Sequence, residues 1–451
     1  MENGEPISAR FEVRFITRTI VKAPDSSPNT HIISLSNLDL LSGRFPVTYI
    51  YFYQKPVHVF HPIADTLKSS LTQCLANFYP FSGRVIQNPK SHEPEIICDN
   101  TGVLILEAQA TIPLKEFNFH DLDQTIPGKL VSIDSSFPVQ VQITNYSCGG
   151  VSLTFTFDHA LGDASSFAKF LVTWSEIAMK KPVSCIADHS RHLRPRFPPS
   201  YDPSLDDEFV TCTIEEIRNM PTISALIKHL YYVDASSIER LQKLASSKGV
   251  KRTKIEAFSA YIWKIMAKAV GKEYHSCKMG WLVDGRTRIS KGTKDPMSHY
   301  IGNVLSLAFG ESNLTDLRQG SIADVADIVH KAIDSVTNEE HFRNLIDWIE
   351  LHRPGLMLSR NVLGLGVPAL VVSSGRRFPV SELDFGFGSP VLGTVFSTIE
   401  RLGVGYINQR ESAKGDGSWI LSTILWPEMV AALKSDPDHI FQPMNLNHLQ
   451  L

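Results

Sequence analysis

The amino-acid sequence predicts an α/β fold with two domains of similar size. The chain has 451 residues, enough for about two domains that each bury a hydrophobic core. Strand-like and helix-like patterns alternate along both halves. From Cys185 to Glu208 the composition shifts to Arg, His, Pro, Ser and Asp, which is typical of an irregular connection. We therefore predict an N-terminal domain at residues 1–184, a crossover at 185–214 and a C-terminal domain at 215–451.

In the first half, the spacing of apolar residues changes from strand-like to helix-like and back. The run Thr48–Tyr53 is rich in β-branched and aromatic residues and predicts a strand. Apolar residues then recur every three or four positions from Leu67 to Phe78, which predicts an amphipathic helix that ends before Pro80. The remaining predicted elements are strands at Gly102–Glu107, Val139–Ile143 and Val151–Phe157, and a helix from near Ser165.

The second half repeats this mixed character. Apolar spacing predicts helices at Ala235–Ser247 and Lys254–Val270, and one long helical stretch at Ile322–Trp348. Short apolar runs predict strands at Met279–Val283, Ala369–Val372 and Trp419–Leu421. The Gly-x-Gly at Gly364 and Gly366 lacks the third glycine of a dinucleotide-binding motif, so we interpret it as a loop.

Composition and charge exclude several classes of function. The 44 basic and 47 acidic side chains give a net charge of −3, so no strong field favours nucleic acid or an anionic membrane. The acidic N-terminus lacks the apolar core of a signal peptide, and no run is long and apolar enough to span a bilayer. Six scattered cysteines without a CxxC pair suit reduced thiols. We expect a cytoplasmic monomer whose partners are small molecules.

The most informative segment is His159–Asp163, which lies between a predicted strand and a predicted helix. An imidazole there titrates near neutral pH and can act as a general base while rigid elements hold it in a cleft. The alternative is a capping turn, in which Asp163 accepts hydrogen bonds from the first turn of the helix and His159 packs beside it. A G-x-S-x-G elbow is absent. A histidine without a paired nucleophile favours direct transfer, with the base activating a substrate hydroxyl or amine.

Metal ligation is the main rival interpretation for the histidines. The pairs that begin at His58 and His189 have His-x-x-His spacing, but neither has cysteine or carboxylate partners at the spacing of a structural site. We therefore expect no metal site.

Five segments spread along the chain form a recognisable pattern. In order they are Leu35–Asp39, Phe78–Arg84, His159–Asp163, Val283–Arg288 and Asp384–Gly388. Their order and separation resemble the plant BAHD acyl-CoA-dependent acyltransferases across essentially the whole chain. Four further stretches are similar to the branch of coniferyl alcohol acyltransferases, namely Lys251–Ala260, Tyr300–Leu305, His352–Met357 and Val372–Pro379.

The resemblance implies a fold of the chloramphenicol-acetyltransferase-like type, with two mixed-sheet domains and a solvent channel between them. Acyl-CoA would enter from one face and the alcohol from the other, and His159 would take the proton of the acceptor hydroxyl where they meet. By family analogy Asp163 pairs with Arg286, or less favourably with Arg288, and so fixes the turn. A plain helix cap remains open for Asp163. Asp384, grouped with these catalytic residues, would tie down a glycine-containing loop beside the CoA channel.

Further residues are assigned to substrate or CoA binding by the resemblance. The segments that line the CoA site in relatives contain Thr253, Lys254, Asp284, Arg288 and Arg376, and Arg286 belongs to the same group. The cationic residues would meet phosphate or pantetheine groups. Each of them can equally be a solvated surface charge. Ser373 and Ser374 keep hydroxyl donors, one of which could stabilise the oxyanion.

Two departures from the family pattern concern the substrate channel. Phe387 stands where the family usually has tryptophan, and its side chain has no hydrogen-bond donor. Gly375 stands where many relatives carry a tryptophan near the acceptor. Its loss should widen or reshape the pocket, or let another aromatic side chain fill it.

On the acceptor side, Pro46 and Val47 occupy a position where relatives that use polyhydroxy acids often have polar groups. An apolar wall favours a flat aromatic alcohol. We therefore predict transfer of an acyl group, with acetyl-CoA as co-substrate and no bound cofactor, to the primary hydroxyl of a hydroxycinnamyl alcohol such as coniferyl alcohol. The alternatives are hydroxycinnamoyl or benzoyl transfer to another alcohol or amine, and a catalytically silent relative that binds a metabolite or protein.

Overall fold

The structure is a computed structural model that describes residues 11–25, 29–42, 44–56, 62–218, 226–289, 297–375, 378–397 and 404–449. Within these ranges the strands form a six-stranded sheet, a seven-stranded sheet and two small sheets. The strands are β1 Val13–Val21, β2 His31–Ser34, β3 Pro46–Tyr53, β4 Arg84–Gln87, β5 Pro94–Cys98, β6 Val103–Ala110, β7 Val139–Asn145, β8 Val151–Asp158, β9 Phe209–Cys212, β10 Ile227–Val233, β11 Ser276–Asp284, β12 Leu305–Asn313, β13 Leu356–Ser359, β14 Ala369–Ser374, β15 Leu392–Ser397, β16 Gly405–Glu411, β17 Trp419–Leu425 and β18 Gln442–Pro443. The helices are α1 Ile63–Asn77, α2 Leu122–Thr125, α3 Ala164–Ala178, α4 Leu205–Glu208, α5 Ile214–Arg218, α6 Ala235–Ala245, α7 Lys254–Ala269, α8 Arg286–Ile289, α9 Leu314–Gln319, α10 Ile322–Val336, α11 Glu339–His352 and α12 Pro427–Lys434.

The six-stranded sheet has the order β1-β6-β7-β8-β3-β15, and its aromatic strand β3 is buried on both faces. Because side chains alternate along a strand, Tyr49 and Tyr51 face the main core while Ile50 and Phe52 face a second cluster. Strand β8, which leads to His159, is buried from its first residue to Phe157. The scaffold in front of the histidine is therefore fixed by packing on both sides.

The seven-stranded sheet has the order β12-β11-β14-β16-β17-β10-β18 and is covered by α7 and its neighbours. Helix α7 buries most of its length, including Phe258 and Trp263. The prediction of one continuous helix at Ile322–Trp348 was wrong: α10 ends at Val336, and the Asn338 side chain accepts a hydrogen bond from the His341 N–H at 2.8 Å to begin α11. An asparagine at that position competes with the helical backbone and starts a new helix.

The second half of the chain contributes one strand to the large sheet of the first half. Strand β15 comes from the second half but pairs antiparallel with β3 on the edge of the six-stranded sheet. The crossover from Cys185 is irregular as predicted until α4 begins at Leu205. Among the described residues, no helix combines the length and hydropathy needed to cross a membrane.

Candidate active site

His159 lies in a single tight turn between β8 and α3. Asp158 begins the turn by accepting a hydrogen bond from the Ala160 N–H at 2.9 Å, and its other oxygen meets Arg44 Nη2 at 2.6 Å. Gly162 ends the turn, where a Cβ atom would lie 2.6 Å from the Cβ of Ser166. Glycine is required because the turn packs directly on the start of α3.

The imidazole of His159 is placed to act as a neutral base. Its Nδ1 is buried and has no hydrogen-bond partner among the described residues. Burial lowers the pKa of His159 below its ordinary value of 6.5, and the nearby carboxylate of Asp163 only partly opposes this. The ring is therefore mostly neutral at pH 7 and able to accept a proton.

Asp163 performs both functions that the sequence analysis left open. Its Oδ1 accepts hydrogen bonds from the N–H groups of Ser165 and Ser166, each at 3.1 Å, and so caps α3. Its Oδ2 accepts from Arg286 Nη1 at 2.7 Å and from the Val304 N–H at 3.0 Å. Burial alone would raise the pKa of Asp163, but Arg286 and these donors hold it below its usual value. The ion-pair partner is thus Arg286 and not Arg288.

A second buried ion pair holds the other side of the turn, and the sequence analysis missed it. Asp39 and Arg191 meet at 2.6 Å with side chains that are 0% and 4% exposed. Arg191 also donates to the carbonyl of Leu161 at 2.8 Å. Asn303 connects this ion pair to the turn, because its Nδ2 donates to Asp39 Oδ1 and to the carbonyl of His159, both at 3.0 Å.

The sequence did contain a signal for part of this network. Asp39 and Asn303 lie in the segments Leu35–Asp39 and Tyr300–Leu305 that carried the resemblance, although no role was assigned to either. Arg191 lies in the polar crossover, where a charge is normally exposed. Its backbone has a φ of 49°, a conformation that a non-glycine residue adopts only when its surroundings hold it there.

A mostly apolar cavity of about 200 Å³ opens beside the imidazole. Its walls include Phe45, Val47, Val371 and Val395, drawn from both large sheets. Besides His159, the polar side chains among its described lining residues are Ser306 and Tyr406. Val47 therefore lines the cavity as expected for an apolar wall, while Pro46 does not. A concave apolar site with few polar groups is typical of a small-molecule pocket.

The residues predicted to bind CoA lie at the start of α7, at the end of β11 and on α8. Thr253 caps α7, exchanging hydrogen bonds with Glu256, and Lys254 is the first residue of the helix. Asp284 lies beside Arg286, with its Oδ1 accepting from the Arg286 N–H at 2.8 Å, and Arg288 is exposed on α8. The hydrogen bonds of Thr253 stay within the start of α7, where its partner is Glu256. Arg376 lies outside the described residues.

The hydroxyls of Ser373 and Ser374 are engaged on β14. Ser373 Oγ accepts hydrogen bonds from Tyr406 Oη at 2.8 Å and from Asn408 Nδ2 at 2.7 Å. Ser374 Oγ donates to Gln409 Oε1 at 3.3 Å. Ser373 thereby joins a polar network that ends at the cavity-lining Tyr406.

The loop at Asp384 is held in the way the sequence predicted. Asp384 Oδ1 accepts hydrogen bonds from the N–H groups of Gly386 and Gly388, both at 2.9 Å. Both glycines have positive φ values, 97° and 100°, which only glycine adopts readily. Phe387 is buried, with its ring edge-on to Tyr53 at 5.0 Å.

The other departure, Gly375, is explained by a close approach of two strands. A Cβ atom there would lie 2.5 Å from the carbonyl oxygen of Gln409. The ring of the nearby Phe378 packs against Tyr49 and Tyr51 at 4.7 and 5.2 Å and is not among the described residues that line the cavity.

Comparisons with known proteins agree with this architecture. The family model described as Transferase family matches residues 11–440. Anthranilate N-benzoyltransferase protein 1 of Dianthus caryophyllus is 30% identical over 446 residues, covering 92% of this chain and 97% of that protein. Shikimate O-hydroxycinnamoyltransferase of Nicotiana tabacum is 27% identical, covering 83% and 88%.

Solved structures share the fold at low sequence identity. Vinorine synthase superposes with a TM-score of 0.70 at 19% identity, covering 96% of this chain and 99% of that one. The F. graminearum TRI101 structure with coenzyme A and deoxynivalenol gives a TM-score of 0.74 at 15% identity, covering 91% and 99%.

Proposed function

Because this chain belongs to the Transferase family of BAHD acyl-CoA-dependent acyltransferases, we propose that it transfers an acetyl group from acetyl-CoA to the primary hydroxyl of a hydroxycinnamyl alcohol such as coniferyl alcohol. The observation that carries the choice of acceptor is the mostly apolar cavity beside His159, with Val47 in its wall. A flat aromatic ring buries apolar surface in such a site, whereas a polyhydroxy acid would leave its hydroxyls without partners.

In the proposed mechanism, His159 is the general base. The neutral imidazole takes the proton of the acceptor hydroxyl as the oxygen attacks the thioester carbonyl carbon. The resulting tetrahedral intermediate collapses with cleavage of the C–S bond, and the thiolate of CoA takes the proton back from the imidazolium. Asp163 and Arg286 hold the turn and do not touch the reacting atoms; their ion pair at 2.7 Å, with both side chains buried, supports this role.

The residues that we propose for CoA binding include Thr253, Lys254, Arg288 and Arg376. Thr253 and Lys254 begin α7, where the helix N-terminus favours a phosphate group. Arg288 offers an exposed guanidinium, and Arg376 remains in the proposed set by sequence alone. Lys254→Ala and Arg288→Ala should each raise KM for acyl-CoA severalfold at unchanged kcat, since a lost phosphate contact weakens binding equally before and during reaction. An unchanged KM in both variants would remove these residues from the set.

The direct experiment is to incubate the purified protein with coniferyl alcohol and a panel of acyl-CoA donors. Release of free thiol and the mass of the product report turnover. His159→Ala should reduce kcat/KM by about 100- to 10,000-fold, the usual contribution of a general base. His31→Ala is the matched control, because His31 lies on the small sheet with β4 and β5 and outside the cavity. Undiminished turnover by His159→Ala would sink the mechanism, and no turnover with any pair would favour a silent binding protein.

A second candidate is benzoyl or hydroxycinnamoyl transfer to another alcohol or an amine. It is favoured by the relatives themselves, which include an anthranilate N-benzoyltransferase at 30% identity and a shikimate O-hydroxycinnamoyltransferase at 27%. The same panel separates the two candidates, because benzoyl-CoA or coumaroyl-CoA with anthranilate or shikimate would then give the highest kcat/KM.

We also propose that the protein works as a cytoplasmic monomer. All six cysteines are free, which suits a reducing compartment. Size-exclusion chromatography with light scattering should give a mass near 50.3 kDa. A stable dimer would contradict this part of the proposal.

A further inference from the structure

The cavity beside His159 is polar at two other points, which lie far apart. Ser306 is on β12 and Tyr406 is on β16, with β11 and β14 between them in the sheet. Three interstrand spacings separate the two strands by roughly 14 Å. His159 belongs to the β12 end, because its carbonyl accepts a hydrogen bond from Asn303, just before that strand. Tyr406 is therefore carried by a strand on the other side of the cavity from β12.

Tyr406 is the last member of a hydrogen-bonded chain that starts at a buried cation. Arg410 is 0% exposed and has no carboxylate partner among the described residues. Its Nη2 donates to Asn408 Oδ1, which leaves the Asn408 amide nitrogen to donate to Ser373 Oγ at 2.7 Å. Tyr406 Oη donates to the same Ser373 oxygen at 2.8 Å. The guanidinium thus fixes the orientation of every group in this chain.

The direction of these hydrogen bonds decides what Tyr406 offers to a ligand. Its single hydroxyl proton is donated to Ser373 Oγ. The Asn408 side chain also lies within hydrogen-bond reach of this oxygen. A hydroxyl oxygen has two lone pairs, so the group of a ligand that meets the second one must be a hydrogen-bond donor. At that point of an apolar cavity, the donor that an aromatic acceptor carries is a ring hydroxyl.

We infer that Tyr406 accepts a hydrogen bond from the phenolic hydroxyl of the acceptor, so that the cavity selects a free phenol over its methyl ether. The inference rests on the proposed function in one respect, namely that the acceptor is an aromatic alcohol. A methoxy group has no proton to donate, and it would leave the lone pair of the Tyr406 oxygen that faces it without a donor.

The test compares coniferyl alcohol with its 4-O-methyl ether. Equilibrium binding is measured by titration calorimetry without acyl-CoA, and kcat/KM is measured separately with acetyl-CoA. Wild type should bind the free phenol about 5- to 10-fold more tightly, the effect of one neutral hydrogen bond in a buried site. Tyr406→Phe should bring the ratio close to one by weakening the phenol alone.

Two further variants make the comparison specific. Ser373→Ala removes the acceptor of the Tyr406 proton, so that Tyr406 can donate to the ether oxygen and the preference for the phenol should shrink. Tyr146→Phe is the matched control, since Tyr146 is also buried and donates to a serine, Ser152, at 3.3 Å in the second core cluster. In Tyr146→Phe the ratio of the affinity for the phenol to the affinity for its methyl ether should equal that of wild type.

The outcomes separate the inference from the proposed function. A wild-type ratio near one, or equal weakening of both ligands by Tyr406→Phe, would overturn the inference, as would an unchanged ratio in Ser373→Ala. If both alcohols bind with the expected ratio but neither is acetylated, the inference stands and the proposed function fails. If neither alcohol binds, both are refuted.

Discussion

Replacing Asp163 with asparagine tests whether this residue supports the His159 turn or takes part in the chemistry. Asparagine keeps an oxygen that can cap α3, but it removes the charge opposite Arg286. In the native protein Oδ2 accepts from two donors, Arg286 Nη1 and the Val304 N–H. An amide NH₂ turned toward them would place donor against donor, and an amide flipped the other way would lose the cap.

The magnitude follows from the burial of the pair. The side chains of Arg286 and Asp163 are 3% and 1% exposed, so solvent does not compensate the stranded guanidinium. Removing one partner of a buried ion pair costs about 3–5 kcal/mol. Asp163→Ala also loses the cap and should cost about 1 kcal/mol more. Arg18→Met is the control, because the Arg18–Asp134 pair is exposed, and such a pair contributes about 0–1 kcal/mol.

Two assays distinguish the roles. Urea unfolding should show the lost stability, and Arg286→Met in the Asp163→Asn background should restore part of it by removing the stranded charge. The acid limb of the pH–rate profile should move to lower pH, because the carboxylate of Asp163 opposes the lowering of the His159 pKa. An unfolding midpoint equal to that of wild type, together with activity as low as in His159→Ala, would refute the supporting role.

Four further outcomes are expected. Since burial lowers the His159 pKa below 6.5, kcat/KM in wild type should fall only below that pH, as protonation removes the base; an acid limb centred above pH 7 would contradict this. Asn303→Ala should lower kcat by about tenfold by releasing the His159 carbonyl, with a smaller change in KM. An unchanged kcat measured at saturating substrate would exclude a role of this hydrogen bond in positioning His159. Asp384→Ala should raise KM for acyl-CoA and lower the free energy of unfolding in urea by about 1–2 kcal/mol through the two lost hydrogen bonds, whereas an unaltered free energy would mean that the loop is held by other contacts. Arg410→Met should lower the free energy of unfolding in urea by about 1–3 kcal/mol. The loss should be smaller than for Arg286→Met, because Arg410→Met leaves no described carboxylate without its partner. Equal losses in the two variants would contradict the assignment of Arg410 as a cation that has no carboxylate partner.

The fold could be predicted where local pattern and burial coincide. Strand β8 lies within one residue of its predicted bounds and helix α3 begins one residue before its predicted start, because both are defined by regular apolar spacing. The break between α10 and α11 was missed because Thr337 and Asn338 interrupt an apolar pattern that continues on both sides. A side-chain cap is a single-residue effect, which a periodicity analysis averages out.

The site was predictable only in part for a different reason. His159 and Asp163 are close in sequence, so one pentapeptide reveals them. The Asp39–Arg191 pair joins residues 152 positions apart, and the polar surroundings of Arg191 predict an exposed charge. Nothing in the local sequence states that an arginine will be buried, since burial depends on the topology that brings Asp39 and Asn303 to it.

Three buried arginines have two different roles at the site, namely support of the His159 turn and selection of the ligand. Arg191 and Arg286 each meet a buried carboxylate at 2.6 and 2.7 Å, and a cation so paired cannot respond to a ligand without breaking the pair. Arg410 instead lies against the ring of Phe378 at 4.9 Å and donates to neutral groups, and burial lowers its pKa to about 10, so it remains charged at pH 7. Its uncompensated charge is directed into the chain that ends at Tyr406. Substitutions in the hydrogen-bonded chain that joins Arg410 to Tyr406 should therefore change which substrate binds. Substitutions at Arg191 and Arg286 should instead change how firmly His159 is held.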